Sequence, residues 1–187
     1  ITMLRTKDEL GRVLKSQLRI RSLDKITVIS IVEECRINRQ TFYYHFQDII
    51  DLCKWTFSRD LKEIISENKR EDNWQGGCLA TMNYLKENET IVKNILNSVD
   101  RRKLDIAVQG GADYIMTQVI DDAAKGMSVS EEDKLFLVKF YRSIFIGLIM
   151  DWIDLGMKED PEKIVSRLTK IIQGNIRMSL ERFEEKG

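Results

Sequence analysis

The sequence predicts an all-α fold of about nine helices, and three observations carry that expectation. Proline occurs once in 187 residues, at Pro161, so helix breakers are almost absent. Alternating runs of Val, Ile and Thr, the mark of half-buried strands, are scarce. Apolar residues instead recur at three- and four-residue spacing, which lines one face of a helix. Hydrophobic residues at 43% and charged residues at 32% fit a soluble folded chain and exclude a disordered one. No apolar run approaches the roughly 20 residues of a bilayer-spanning helix, and no signal-peptide pattern is present. The chain opens at Ile1, not Met, so upstream residues are expected to be missing. Cys35, Cys53 and Cys78 lack metal-ligand spacing. Their odd number without a secretory signal points to reduced thiols in the cytoplasm.

Taken in order, the first helix is expected over about Thr6 to Arg21, with Leu10, Val13, Leu14 and Leu18 as its buried stripe. Ser22-Leu23-Asp24-Lys25 breaks it. Thr27 then caps a short second helix, because its hydroxyl accepts from an early backbone N–H. Ile31 and Val32 form that helix's inner face. Arg36-Ile37 makes a tight turn, and Asn38 caps a third helix, Arg39 to about His45. Two short helices joined by a turn, with a longer one ahead, read as a helix-turn-helix trio spanning about 27–46. Residues 1–47 form this head, and 48–187 a second helical region.

Asp48 caps a fourth helix reaching about Glu67, with Leu52, Trp55, Ile64 and Ile65 on its apolar side. Further helices are expected over 74–87, 89–98, 103–126, 131–157 and 161–184. Gly76-Gly77 and Gly110-Gly111 weaken theirs by about 1 kcal/mol per glycine. Gly126-Met127-Ser128 and Gly156-Met157 read as stops, Ser130 with Asp133 as a cap, and Pro161 as a first-turn residue. The helix at 131–157 is apolar around more than one face, and 161–184 carries a second long stripe. Pairing of these two helices across a two-fold axis is the preferred way to cover them; packing into the chain's own core is the alternative.

Net charge is zero, but it is unevenly placed. Residues 1–46 hold nine Lys/Arg against five Asp/Glu, an excess of four positive charges. A basic front end suits a polyanion partner. Within it, NRQTFYYHF (Asn38–Phe46) crowds four aromatic rings and the only His into two helical turns. Helix geometry turns Phe42 and Phe46 inward and leaves Arg39, Gln40, Thr41, Tyr43 and Tyr44 outward. Such a helix fits the major groove, about 12 Å wide, tips first. Arg39 suits guanine, Gln40 adenine, and Thr41 a thymine methyl or a phosphate. Tyr43, Tyr44, His45 and Thr27 can hydrogen-bond phosphates. His45 lacks the Cys, Asp or Glu company that a metal or acid–base site needs.

ITVISIVEECRINRQTFYYHFQDIIDL (Ile26–Leu52) resembles the DNA-binding motif of the TetR family of bacterial transcriptional regulators. Thr27, Val28, Ile31, Thr41, Phe42, Tyr43, His45, Phe46 and Leu52 match its pattern. The resemblance implies nine helices, three for DNA and six for dimerisation and effector binding. Arg36 stands where the pattern has the turn glycine, so a side chain occupies a position that favours positive φ. Gln40 replaces a small residue, and Ile49 replaces a phosphate-binding lysine. The R-Q-T-F-Y wording and Trp55 are similar to the DhaS-like subgroup of dihydroxyacetone-kinase regulators, which implies activation with a protein coactivator.

These readings converge on a dimeric DNA-binding regulator, with Arg39, Gln40, Thr41 and Tyr43 reading bases and Thr27, Tyr44 and His45 contacting phosphate. Repression relieved by an effector is the first reading, and activation with a coactivator the second. A helical protein-interaction module that binds no DNA is the rival from another class. An enzyme is disfavoured for want of a P-loop, nucleophile motif or carboxylate pair, and no metal or cofactor is expected. Trp55, Trp74, Tyr114, Tyr141 and Trp152 are candidate effector-pocket aromatics, although aromatics on helices serve more often as plain core.

Overall fold

The computed structural model describes residues 2–68, 74–98, 101–172 and 174–184, with backbone alone at 2–3, 101–108 and 110–111. Its elements are α1 (Thr2–Leu18), a 3-10 turn (Leu23–Lys25), α2 (Val28–Cys35), α3 (Arg39–His45), α4 (Ile49–Asn68), α5 (Trp74–Glu87) and α6 (Glu89–Leu96). They continue with α7 (Arg101–Ala123), α8 (Glu131–Asp154), α9 (Pro161–Ile172) and α10 (Asn175–Phe183). Among the described residues there is no strand, and no helix is long and apolar enough to cross a membrane.

Eight of the expected helices appear as single helices, shifted by a few residues at their ends. The ninth, expected unbroken over 161–184, is instead two. Gly174 sits between them at φ +82°, a left-handed conformation that ends the helical path and that glycine adopts without a Cβ clash. Gly126 and Gly156 take the same conformation at φ +82° and +80°, as their reading as stops requires. Asp48 Oδ1 accepts from Asp51 N at 2.8 Å, and Ser130 Oγ from Asp133 N at 3.1 Å. Both caps satisfy backbone donors that the first helical turn leaves open.

The chain forms two compact units. The first comprises residues 1–62 and 87–107. Leu10, Val13, Leu14 and Leu18 of α1 are all 0% exposed, and each such burial is worth roughly 1.5–3 kcal/mol. Ile31, Val32, Phe42 and Phe46 close over them from α2 and α3. This unit takes in more chain than the head of 1–47. Ile91 and Ile95 of α6 enter its core, and Asn94 Nδ2 donates to the Leu18 carbonyl at 2.8 Å. From α4, the nearly buried Asp60 pairs with Lys15 Nζ at 2.7 Å, and Arg59 pairs with Asp8. Those two ion pairs hold α4 on α1.

The second unit comprises residues 63–86 and 108–187. Leu137, Val138, Tyr141 and Phe145 of α8 meet Leu168, Ile172, Ile176 and Leu180 of α9 and α10, with Met116 and Ile120 of α7. Arg142 Nη1 reaches both carboxylate oxygens of Asp113, at 2.8 and 3.0 Å, so its charge is committed within this unit. The far side of α8 stays uncovered. Phe136, Phe140, Ile144 and Leu148 follow one another at four-residue spacing with 60%, 52%, 37% and 42% exposure.

Candidate nucleic-acid interface

The local chemistry of α2 and α3 explains how the head is held. Thr27 accepts from Ser30 N at 3.1 Å, and Ser30 Oγ accepts from Thr27 N at 3.3 Å. This reciprocal cap fixes where α2 begins. Gln17, buried on α1, donates to the Ser30 carbonyl at 3.0 Å and to Glu34 at 2.9 Å, while Ser30 Oγ donates back to Gln17 Oε1 at 2.8 Å. A buried amide with its partners in place orients α2 against α1.

At the other end of α2, Arg36 lies at φ 55°, ψ 42°. Its N–H bonds to Glu33 O at 3.2 Å, and the Ile37 N–H bonds to Val32 O at 3.0 Å. That pair of bonds is a Schellman closure, whose left-handed position is the one glycine usually fills. The strain expected from the sequence is present, and the turn keeps its geometry. Asn38 Oδ1 then accepts from Thr41 N at 2.7 Å and starts α3.

Along α3 the two faces separate as expected. Phe42 is 0% and Phe46 3% exposed. Arg39 and Gln40 are exposed, as are Tyr43 at 57% and Tyr44 at 72%. Phe42 and Tyr43 meet edge to face at 5.5 Å, so the buried ring steadies its exposed neighbour. Thr41 Oγ1 donates to Asn38 Oδ1 at 2.9 Å. Its proton is therefore used inside the cap, leaving its methyl for an outside contact.

His45 is half-buried, and its Nδ1 is enclosed without a hydrogen-bond partner. Burial, then the nearby Lys7 charge, pushes its pKa below the ordinary histidine value. A proton on the enclosed nitrogen would go unpaired, so Nε2 carries it. Lys7 was not singled out by the sequence. Its Nζ lies 5.3 Å from the Phe46 ring centroid and 5.6 Å from that of Trp55, and α1 sits too far away in sequence for helical periodicity to reveal this. Cys35, half-buried, has its thiol pushed up to about 11 by burial first and by Glu9 and Glu34 next. It is protonated and unreactive at neutral pH.

The five candidate effector aromatics divide differently. Trp55 belongs to the first unit, 5.6 Å from Phe46 ring to ring. Trp74 packs edge-on against Phe145 at 5.2 Å. Tyr141 is buried with its hydroxyl 3.4 Å from Ser179 Oγ, and Trp152 is buried with Nε1 donating to Glu159 O at 2.9 Å. Tyr114 is 54% exposed.

Known proteins resemble this chain over most of its length. A family model for the transcriptional regulator C-terminal region of the TetR class matches residues 72–174. The dhaKLM operon transcriptional activator DhaS of Lactococcus lactis subsp. lactis (strain IL1403) is 24% identical over 175 residues, covering 92% of this chain and 91% of that protein. The solved structure of a dihydroxyacetone kinase operon activator DhaS superposes with a TM-score of 0.68 at 24% identity, over 96% of this chain and 98% of that one. The fatty acid degradation regulator FadR of Bacillus halodurans gives 0.61 at 13% identity, over 92% and 96%. The family's members are transcriptional regulators and not enzymes. The chain belongs to the TetR family of transcriptional regulators.

Proposed function

We propose that this regulator binds a near-palindromic operator as a homodimer, the two α3 helices entering successive major grooves about 34–36 Å apart. The observation that carries this reading is the division of α3, with Phe42 and Phe46 buried and Arg39, Gln40 and Tyr43 free at the surface. Arg39 and Gln40 read base edges, Thr41 offers its methyl and Tyr43 completes the set. Thr27, Tyr44 and His45 donate to phosphate and fix the register.

Dimerisation uses the helices at about 131–157 and 161–184, here α8 with α9 and α10. The uncovered row of Phe136, Phe140, Ile144 and Leu148, with Phe183 exposed on α10, is an apolar surface that self-association buries. An effector or partner acting on the second unit alters operator affinity through the difference in its own affinity for two states. Repression relieved by a small molecule is the first reading, in keeping with a small-molecule complex, that of SmeT with triclosan, on a similar fold. Activation with a protein coactivator is the second; its activating sense, though not the coactivator, is in keeping with the Lactococcus relative, an operon activator.

A gel shift with the DNA upstream of the protein's own gene, at two salt concentrations, tests the proposal. Binding that weakens steeply with salt supports it. Salt-insensitive failure to bind supports the rival, in which α3 docks a protein.

A further inference from the structure

We propose that Lys7 of α1 joins His45 in gripping one DNA phosphate at the C-terminal end of α3. The inference rests on the DNA-binding reading and adds to it a contact from a different helix. Tyr44 and His45 stand at the carbonyl end of α3, where the helix dipole is negative. Asp48 and Asp51 follow within six residues, both tied to the start of α4. From Phe46 to Cys53 the sequence holds no Lys or Arg, and Ile49 is half-buried against the first core. The amides at the start of α4 favour an anion here, but this stretch brings no side-chain cation of its own, so a full positive charge has to come from elsewhere in the fold.

Lys7 meets that need. Its ammonium lies within cation–π range of both Phe46, the residue that ends α3, and Trp55 of α4, at 5.3 and 5.6 Å. Trp55 is steadied on its own account, with the Arg59 guanidinium 4.8 Å from its ring and Arg59 paired to Asp8, the residue after Lys7. Lys7 makes no ion pair among the described residues and is half-exposed, so its charge is held in place by rings and remains open to an anion. Lys7 Nζ stands over the Phe46 ring, whose centroid lies 6.4 Å from that of His45, so the two groups flank the same aromatic residue. With Nδ1 enclosed, His45 offers Nε2–H, and Lys7 offers full charge. Together they make a point-charge and hydrogen-bond pair suited to a phosphate oxygen.

The test measures affinity of the full chain for its upstream DNA fragment by fluorescence anisotropy, across a salt series, for the parent, Lys7→Met and Lys7→Arg. Methionine keeps the packing stem without the charge, and thermal melting checks that each variant folds. The expected result is a log–log salt slope shallower by about 0.9 in Lys7→Met, with the loss equal on specific and random duplexes. Lys7→Arg keeps the parent slope. A folded Lys7→Met with the parent's slope overturns the contact and leaves Lys7 as a packing residue only. Should Lys7→Met not fold, acetylation of the parent's lysines with and without DNA decides the matter by mass spectrometry. Several-fold protection of Lys7 by DNA supports the contact, and equal modification overturns it. A parent that binds no DNA at any salt overturns the DNA reading itself, and this contact with it.

Discussion

Gly11 of α1 and Thr56 of α4 approach so closely that a Cβ placed on Gly11 would stand 2.9 Å from Thr56 Oγ1 and 3.2 Å from its Cγ2. Thr56 cannot retreat easily, being 0% exposed with its hydroxyl donating to Leu52 O at 2.8 Å. Gly11→Ala gains about 1 kcal/mol in helix propensity but overpacks the contact, which costs about 1–3 kcal/mol. Urea denaturation is expected to show a net loss of about 1 kcal/mol. In a Thr56→Ala background the clash is absent, and the same substitution is expected to stabilise by about 1 kcal/mol. The change of sign between backgrounds is the signature of this contact.

Arg36 occupies the left-handed position of the turn at φ 55°, where a residue with a Cβ costs about 1–2 kcal/mol relative to glycine. Glycine returns part of that through its freer unfolded state. Arg36→Gly is therefore expected to raise stability by about 0.5–1 kcal/mol, seen as a higher urea midpoint at unchanged slope. A loss of stability would show that the arginine side chain contributes more than its backbone strain removes.

The features legible in the sequence were local ones. Thr27 and Asn38 announced their caps, Leu10 to Leu18 their stripe, and Phe42 with Phe46 the inner edge of α3, because each depends on residues within a turn or two. The break at Gly174 was hidden, since a glycine in an otherwise apolar-periodic run signals nothing until its φ is known. The close pass at Gly11, the ring shelf under Lys7 and the share of α6 in the first core were hidden for another reason. Each joins residues more than thirty positions apart, and one sequence carries no record of such pairings. Trp55 is an example: its neighbours Lys7, Phe46 and Arg59 come from α1, the end of α3 and α4, and the sequence alone does not bring them together.

His45 sets a pH dependence with a definite sign. Its folded pKa lies below the ordinary value of 6.5, so the unfolded chain takes up a proton first as pH falls. Stability is full above about 6.5 and declines as pH drops toward the folded pKa. Chemical denaturation between pH 7.5 and 5.5 is expected to show this decline in the parent and a flatter profile in His45→Gln. A parent profile rising toward acid would place His45 in a carboxylate-paired setting instead.

On the DNA-binding reading the polar tips of α3 meet DNA while Phe42 and Phe46 hold the helix from behind. Affinity of parent and Arg39→Ala, measured side by side on the operator and on single-base variants of it, tests this most directly. Arg39→Ala is expected to lose about 1–3 kcal/mol on the operator and to show a weaker preference at the base pair that Arg39 contacts. Equal affinity and equal preference in parent and variant would contradict it.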